Sequence, residues 1–224
     1  MSPSAAQPEA VTLAVHTTGP YCAVRLQYGE HASTRIEAMA RGHAEALPGL
    51  VEAVVREGGA RPENITRIAV ATGPGAFAGT RVGIAFARGL ALAANALAVG
   101  VLDLDALALE ADSDGGERIF AIHDARRGEA VWRSYIHGEP QSEAERGAVE
   151  TALEAARGFG PTLICGSGAG LVSGAGPEAR TIEPAAPPLA AMVALARQAG
   201  PDAPRPAPFY ARPPDAKLPG GVKP

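Results

Sequence analysis

Apolar and polar positions alternate with a short period at the start of the chain and with a helical period soon after. "VTLAVHTT" (11–18) and "YCAVRLQY" (21–28) are apolar runs of strand length joined across Gly19-Pro20, and "ASTRIEAM" (32–39) alternates as a third strand. From Arg41 to Glu57 the apolar residues Leu47, Leu50, Val51, Val54 and Val55 recur at helical spacing, and Gly58-Gly59 closes the helix. "ITRIAVAT" (65–72) is a buried strand. A glycine loop follows, then a long apolar helix from about Gly79 to Ala96 and the strand "ALAVGVL" (96–102). Three meandering strands followed by right-handed crossovers predict a mixed sheet carrying helices.

The second half begins in the same way. "LAVHTTGPYCAVRLQY" (13–28) and "FAIHDARRGEAVWRSY" (120–135) each read as an apolar strand, a histidine, a polar turn with glycine and a second strand. This spacing suggests an internal duplication and a two-lobed α/β fold with mixed sheets. Residues 1–103 are expected to form the first lobe and 104–200 a smaller second lobe, with a strand at Thr162–Cys165 and a helix at Leu189–Gln198. Residues 201–224 are expected to be a proline-rich tail, extended over the surface or mobile.

Composition narrows the function classes. Of 224 residues, 46% are hydrophobic and 20% charged, a globular balance. The net charge of -4 argues against a chain that grips nucleic acid alone. Cys22 and Cys165 stand in no metal spacing and read as reduced cytosolic thiols in apolar strands. The opening MSPSAAQPEA has no basic region followed by an apolar run, so no signal peptide is expected. The apolar stretch Val82–Leu102 is interrupted by Arg88 and Asn95, which argues against a membrane span.

The glycine loop invites a nucleotide-binding reading, and that reading fails on spacing. No lysine follows any loop glycine, as a Walker loop requires, and Gly73-Pro74-Gly75 is followed by Ala78 where a dinucleotide loop needs glycine. Gly73, Pro74, Gly75 and Gly79 are therefore expected to serve as a structural turn that lets the helix lie close on the sheet. Single histidines make no metal site: His43 is followed four residues later by Leu47, and His123 and His137 are isolated. Ser167 in "CGSGAG" lacks the glycine of a nucleophile elbow and has no His/Asp context in the sequence. No catalytic residue, cofactor site or metal site is expected.

"GPGAFAGTRVGIAFARGLALA" (73–93) resembles the GPGSFTGLRIG-type signature of the TsaB (YeaZ) family. "LAVHTT", "RGHAEALPGLVE", "HDARRGEAVW" and "PFYAR" match in the same order, so the resemblance runs from about Val11 to Arg212. It implies a two-lobed actin-like ATPase / ribonuclease H-like α/β fold with mixed sheets, the half-unit order β-β-β-α-β-α-β being that of actin-like ATPases and sugar kinases. It also implies a non-catalytic scaffold and dimerisation subunit for a related catalytic subunit (TsaD) that transfers threonylcarbamoyl to an adenosine beside the anticodon of tRNA. A small ATPase (TsaE) would complete the set, tRNA would be met only through the complex, and the location would be the cytoplasm. The family usually has Asp where this chain has His16, and the catalytic relative has a second metal histidine where this chain has Leu47. Both departures speak against catalysis. The alternative from another class is an ATP-dependent phosphotransferase or ATPase, or a glycoprotease-like hydrolase, of the same fold.

The expected partner face, open also to a homodimer that uses the same surface, lies on the two helices of the first lobe. Val82, Ala85, Phe86, Gly89, Leu90 and Ala93 are assigned to the sheet side of the second helix. Arg81, Ile84, Arg88, Leu92 and Asn95 are assigned outward, joined by His43, Leu47, Leu50 and Val54 of the first helix.

Overall fold

The computed structural model describes residues 10–112, 115–176 and 178–210. The expected two-lobed α/β architecture is found. Strands β1 (Val11–His16), β2 (Tyr21–Tyr28), β3 (His31–Ala38), β4 (Ile65–Ala71) and β5 (Leu97–Val101) form the first sheet, ordered β3-β2-β1-β4-β5. β1 runs antiparallel to β2 and parallel to β4. Helices α1 (His43–Glu57) and α2 (Phe77–Ala94) supply the crossovers. α3 (Asp103–Ala111) leads out of the first sheet into the second lobe.

The second lobe repeats the plan. β6 (Arg118–Arg126) is antiparallel to β7 (Glu129–Ile136) and parallel to β10 (Leu163–Cys165), as β1 is to β2 and β4. β11 (Arg180–Ile182) lies beyond β10, and the short β8 (Glu139–Pro140) and β9 (Glu145–Ala148) both pair with β7. α4 (Val149–Phe159) and a 3-10 segment at Ala169–Ala175 cover its outer face.

Four apolar clusters stack across the molecule. α1 and α2 pack on one face of the first sheet through Leu47, Leu50, Val54 and Ile84. α5 (Leu189–Gln198) fills the other face with Leu189, Met192 and Val193 against Ala14, Ala69 and Val99. α3 lies on the inner face of the second sheet with Leu104 and Ala108, and α3 and α5 touch between the sheets. Leu189–Gln198 was assigned to the second lobe and instead packs on the first. Its apolar side finds the small residues Ala14, Ala23, Ala69 and Ala71 there. We propose a lobe division near residue 103, with the chain returning to the first lobe at 189.

The inward stripe of α2 also differs from expectation. The buried residues of α2 are Gly79, Gly83, Ala87 and Ala91, small residues at spacing four, together with Thr80 and Ile84. Close approach explains the choice. A Cβ on Gly79 would stand 2.0 Å from the Thr17 carbonyl oxygen, and one on Gly83 would stand 2.4 Å from Thr17 Oγ1. The bulkier Val82, Phe86 and Leu90 are only half-buried and pack from the flank. By length and composition α2 is apolar enough to cross a membrane; here its inner stripe lies on the sheet and Arg81 and Arg88 are exposed on its outer side.

Gly83→Ala should cost about 1–3 kcal/mol through overpacking and lower the melting temperature by several degrees. Gly89→Ala, on the same helix with nothing within 4 Å of an added Cβ, should stabilise the fold by up to about 1 kcal/mol of helix propensity and raise the melting temperature. Paired thermal melts followed by circular dichroism read both.

Candidate functional site

The carboxyl ends of β1, β4 and β5 meet at the glycine loop, where an open α/β sheet places its ligands. Gly73 adopts φ +104, which suits glycine. A Cβ on Gly75 would meet the Thr18 carbonyl oxygen at 2.3 Å. The loop is tied on every side: Ala76 N–H donates to Thr18 O at 2.6 Å, Asp103 N–H to Gly73 O at 2.8 Å and Phe209 N–H to Thr72 O at 2.8 Å. Thr17 Oγ1 donates to Gly79 O at 2.8 Å. These contacts give the loop glycines a packing role.

Beside the loop lies a buried polar cluster. Thr18 Oγ1 donates to Asp103 Oδ2 at 2.5 Å and lies 3.2 Å from His16 Nε2. His16 Nε2 stands 3.6 Å from Asp103 Oδ1. Both side chains are about nine-tenths buried. Burial pushes the Asp103 carboxyl above its ordinary range, and His16 and the Thr18 hydroxyl pull it back. The second lobe presents its counterpart at the end of β6. Ser167 Oγ lies 3.1 Å from His123 Nδ1 and accepts from Asp124 N–H at 3.2 Å. The Asp124 carboxylate is held by Arg126, through its N–H at 2.7 Å and its guanidinium at 3.0 Å. Burial pulls the His123 imidazole below its ordinary range, against the opposing pull of Asp124 and with a further push from Arg126. The two clusters line one cleft of about 1150 Å³ between the lobes. At its mouth Arg81 stacks over the Phe77 ring at 3.6 Å and donates from Nε to Tyr210 OH at 2.8 Å.

The family described as TsaD, tRNA N6-adenosine threonylcarbamoyltransferase, matches residues 33–155. YeaZ from Pseudomonas aeruginosa superposes with a TM-score of 0.70 at 28% identity, over 84% of this chain and 91% of that one. A second structure, described as an uncharacterized protein with similarity to peptidase YEAZ from Pseudomonas aeruginosa, gives 0.73 at 30% identity over 91% of this chain and all of that one (100%). The chain belongs to the TsaB (YeaZ) family.

Two further relatives of this TsaB-family chain set the extent of the likeness. The Escherichia coli protein named tRNA threonylcarbamoyladenosine biosynthesis protein TsaB is 34% identical over 128 residues, 57% of this chain and 55% of that protein. The match therefore spans about half the length of that relative. An uncharacterized Mycobacterium tuberculosis protein is 33% identical over 193 residues, 82% of this chain and 81% of its own length. A hexokinase of the ROK family from Thermus thermophilus, at 17% identity and a TM-score of 0.51, shares the fold.

The residues expected on the partner face separate into two groups in this TsaB-family chain. Arg81, Arg88 and Leu92 are exposed, Leu92 at 86%. Arg88 donates to the Pro206 carbonyl, so the tail runs along that edge of α2. Leu47, Leu50, Val54 and Ile84 are core residues instead, Ile84 at 4% exposure, and His43 is buried beside the cleft. The outward side of α2 is corrected accordingly: Ala85, Gly89 and Ala93, assigned to the sheet, are exposed with Leu92. No group of three or more His, Cys, Asp or Glu among the described residues could hold a metal ion. Cys22 and Cys165 are free and buried, and burial pushes their thiols up to about 11 and about 12.

Sequence reasoning passed over two site features. Asp103 is the first acidic residue after the apolar strand 96–102, and its place at a strand's carboxyl end was the available signal. The Ser167–His123 contact corrects the reading of Ser167 as lacking a histidine. It arises because β10 pairs with β6 in the register Cys165↔Ala121, which fixes residues 167 and 123 side by side.

With its folded value depressed, His123 binds fewer protons in the native state than in the unfolded chain. Its contribution is complete above the unfolded value of about 6.5 and is lost as pH falls below it. The melting temperature of His123→Asn should therefore fall less than that of the native chain between about pH 7 and pH 5; matched pH-dependent melts read the difference.

Proposed function

We propose that this chain serves threonylcarbamoyladenosine formation in tRNA as a non-catalytic, cytoplasmic scaffold subunit that docks a TsaD-like catalytic subunit. The observation that carries the reading is the outward face of α2. Ala85, Gly89, Leu92 and Ala93 leave it apolar and nearly flat, with Pro48 and Gly49 of α1 exposed as well. Small residues let a second pair of helices approach closely, and one large exposed side chain, Leu92, is suited to anchor them. A partner with its own α1–α2 pair would make a four-helix contact, and a second copy of this chain could use the same face. A TsaE-like ATPase would join through the complex. The net charge of -4 favours tRNA being met through the partner.

The hydrolase alternative draws on the Ser167–His123 contact. It is disfavoured because the contact uses Nδ1 and the Asp124 carboxylate is spent on Arg126, leaving His123 without an orienting carboxylate. The ATPase alternative draws on the fold alone, since the glycine loop has no lysine.

Leu92→Asp and Ala85→Asp should leave the melt near that of the native chain and weaken co-purification with the TsaD-like subunit by at least about tenfold, given anchors worth about 2 kcal/mol or more. Ile84→Asp should fail to fold, because it buries a charge in the core. Normal partner binding by both folded surface variants would remove this face from the proposal, and steady ATP or peptide turnover by the pure chain would remove the non-catalytic role.

A further inference from the structure

We propose that the cleft between the lobes is a binding site for a small polyhydroxy molecule, a monosaccharide or a ribonucleoside, with Asp103 and His16 as hydroxyl acceptors. Among the described residues, the buried side-chain atoms without a hydrogen-bond partner are His16 Nδ1, Arg25 Nε, His43 Nε2, Asp103 Oδ1 and Trp132 Nε1. His16, His43 and Asp103 all line this one cleft. Unpaired polar atoms are costly to bury, and their gathering in one place marks a site that a ligand completes.

The hydrogen-bond directions say what the ligand must offer. The Thr18 hydroxyl proton is committed to Asp103 Oδ2, so toward His16 Thr18 can only accept. With the His16 ring in its neutral form, Nε2 then carries the proton and Nδ1 presents a lone pair. Asp103 Oδ1 is the second acceptor, since His16 Nε2 at 3.6 Å is too distant for a hydrogen bond. Two acceptors call for donors. A phosphate or carboxylate would face the Asp103 carboxylate. A cation would face the N-terminus of α3, which Asp103 opens, and that of α2, which has no capping side chain and no acidic residue in its first turn. Uncharged hydroxyl groups meet neither objection. No group of three or more His, Cys, Asp or Glu that could hold a metal ion stands here among the described residues. The cleft, at about 1150 Å³, has room for a sugar ring or a nucleoside, and Ser167 and His123 offer a second polar edge on the opposite wall.

The test uses the purified full chain with glucose, adenosine and 2′,3′-dideoxyadenosine, read by calorimetry and by ligand-observed saturation-transfer NMR. Binding of adenosine at least about tenfold tighter than its dideoxy analogue identifies a ribose diol, and binding of glucose identifies a free sugar. In either case Asp103→Asn should weaken binding at least about tenfold, while Leu92→Asp on the distant α2 face leaves it unchanged; binding here thus stands or falls independently of partner docking. Should Asp103→Asn not fold, the His16 imidazole nitrogen resonances of the native chain take its place, and these must shift on ligand addition. No binding of glucose or adenosine up to roughly 10 mM overturns the proposal. So does binding that a folded Asp103→Asn leaves intact, or binding that leaves the His16 resonances unmoved.

Discussion

The seating of α2 on the turn that follows β1 is the contact on which the rest of the molecule depends. Gly75, Gly79 and Gly83 each place a missing side chain where Thr17 or Thr18 stands, with added Cβ atoms at 2.0–2.4 Å. At Gly75 and Gly79 no other residue fits without moving the backbone, because those contacts are to carbonyl oxygens of the main chain. Once α2 lies this close, the Thr17 hydroxyl can reach Gly79 O and the glycine loop can accept Asp103 N–H. Thr18 is then held against Asp103, and α3 starts from a fixed point. One steric condition thus fixes the crossover, the floor of the cleft and the departure of the chain toward the second lobe.

The repeat of the strand plan explains why the cleft has polar groups on both walls. β1 and β6 occupy the same place in their sheets, each antiparallel to the next strand and parallel to a later one. Each carries a histidine at its carboxyl end, His16 at the last residue of β1 and His123 near the end of β6. The two histidines sit in different company. His16 meets a buried carboxylate, whereas His123 meets a serine hydroxyl and a carboxylate already held by arginine. The same backbone position has therefore become an acceptor floor in one lobe and a hydroxyl-bearing wall in the other.

Element order was legible in the sequence because period-2 and helical apolar patterns are local properties. α1 was expected over 41–57 and forms over His43–Glu57, and α2 was expected over about 79–96 and forms over Phe77–Ala94. The face of α2 was not legible from hydrophobicity. Packing area favoured Val82, Phe86 and Leu90 for the sheet, but the sheet side is set by how near the backbone of Thr17 comes, and only small residues allow that approach. The return of α5 to the first lobe was hidden for a related reason: the alanines that receive it, Ala14, Ala69 and Ala71, look like unremarkable strand residues until a helix lies on them. The Ser167–His123 contact joins residues 44 apart in the chain and exists only through the register of β10 on β6, which no local pattern reports.

α2 then separates two kinds of surface that the glycine signature makes possible together. Its glycine-rich first turns must stay small on the inside to seat on Thr17 and Thr18, and they carry Phe77 and Arg81 outward to meet Tyr210 at the mouth of the cleft. Its later turns have no such neighbour outside, so Ala85, Gly89 and Leu92 remain open. The tail reinforces the division: Arg88 donates to its Pro206 carbonyl along one edge, and Phe209 N–H pins it to Thr72 O. A helix that had to bury large side chains inward would stand off the sheet, lose the Thr17 contact and loosen the Asp103 end of the cleft. The small-residue stripe is thus a condition for the cleft.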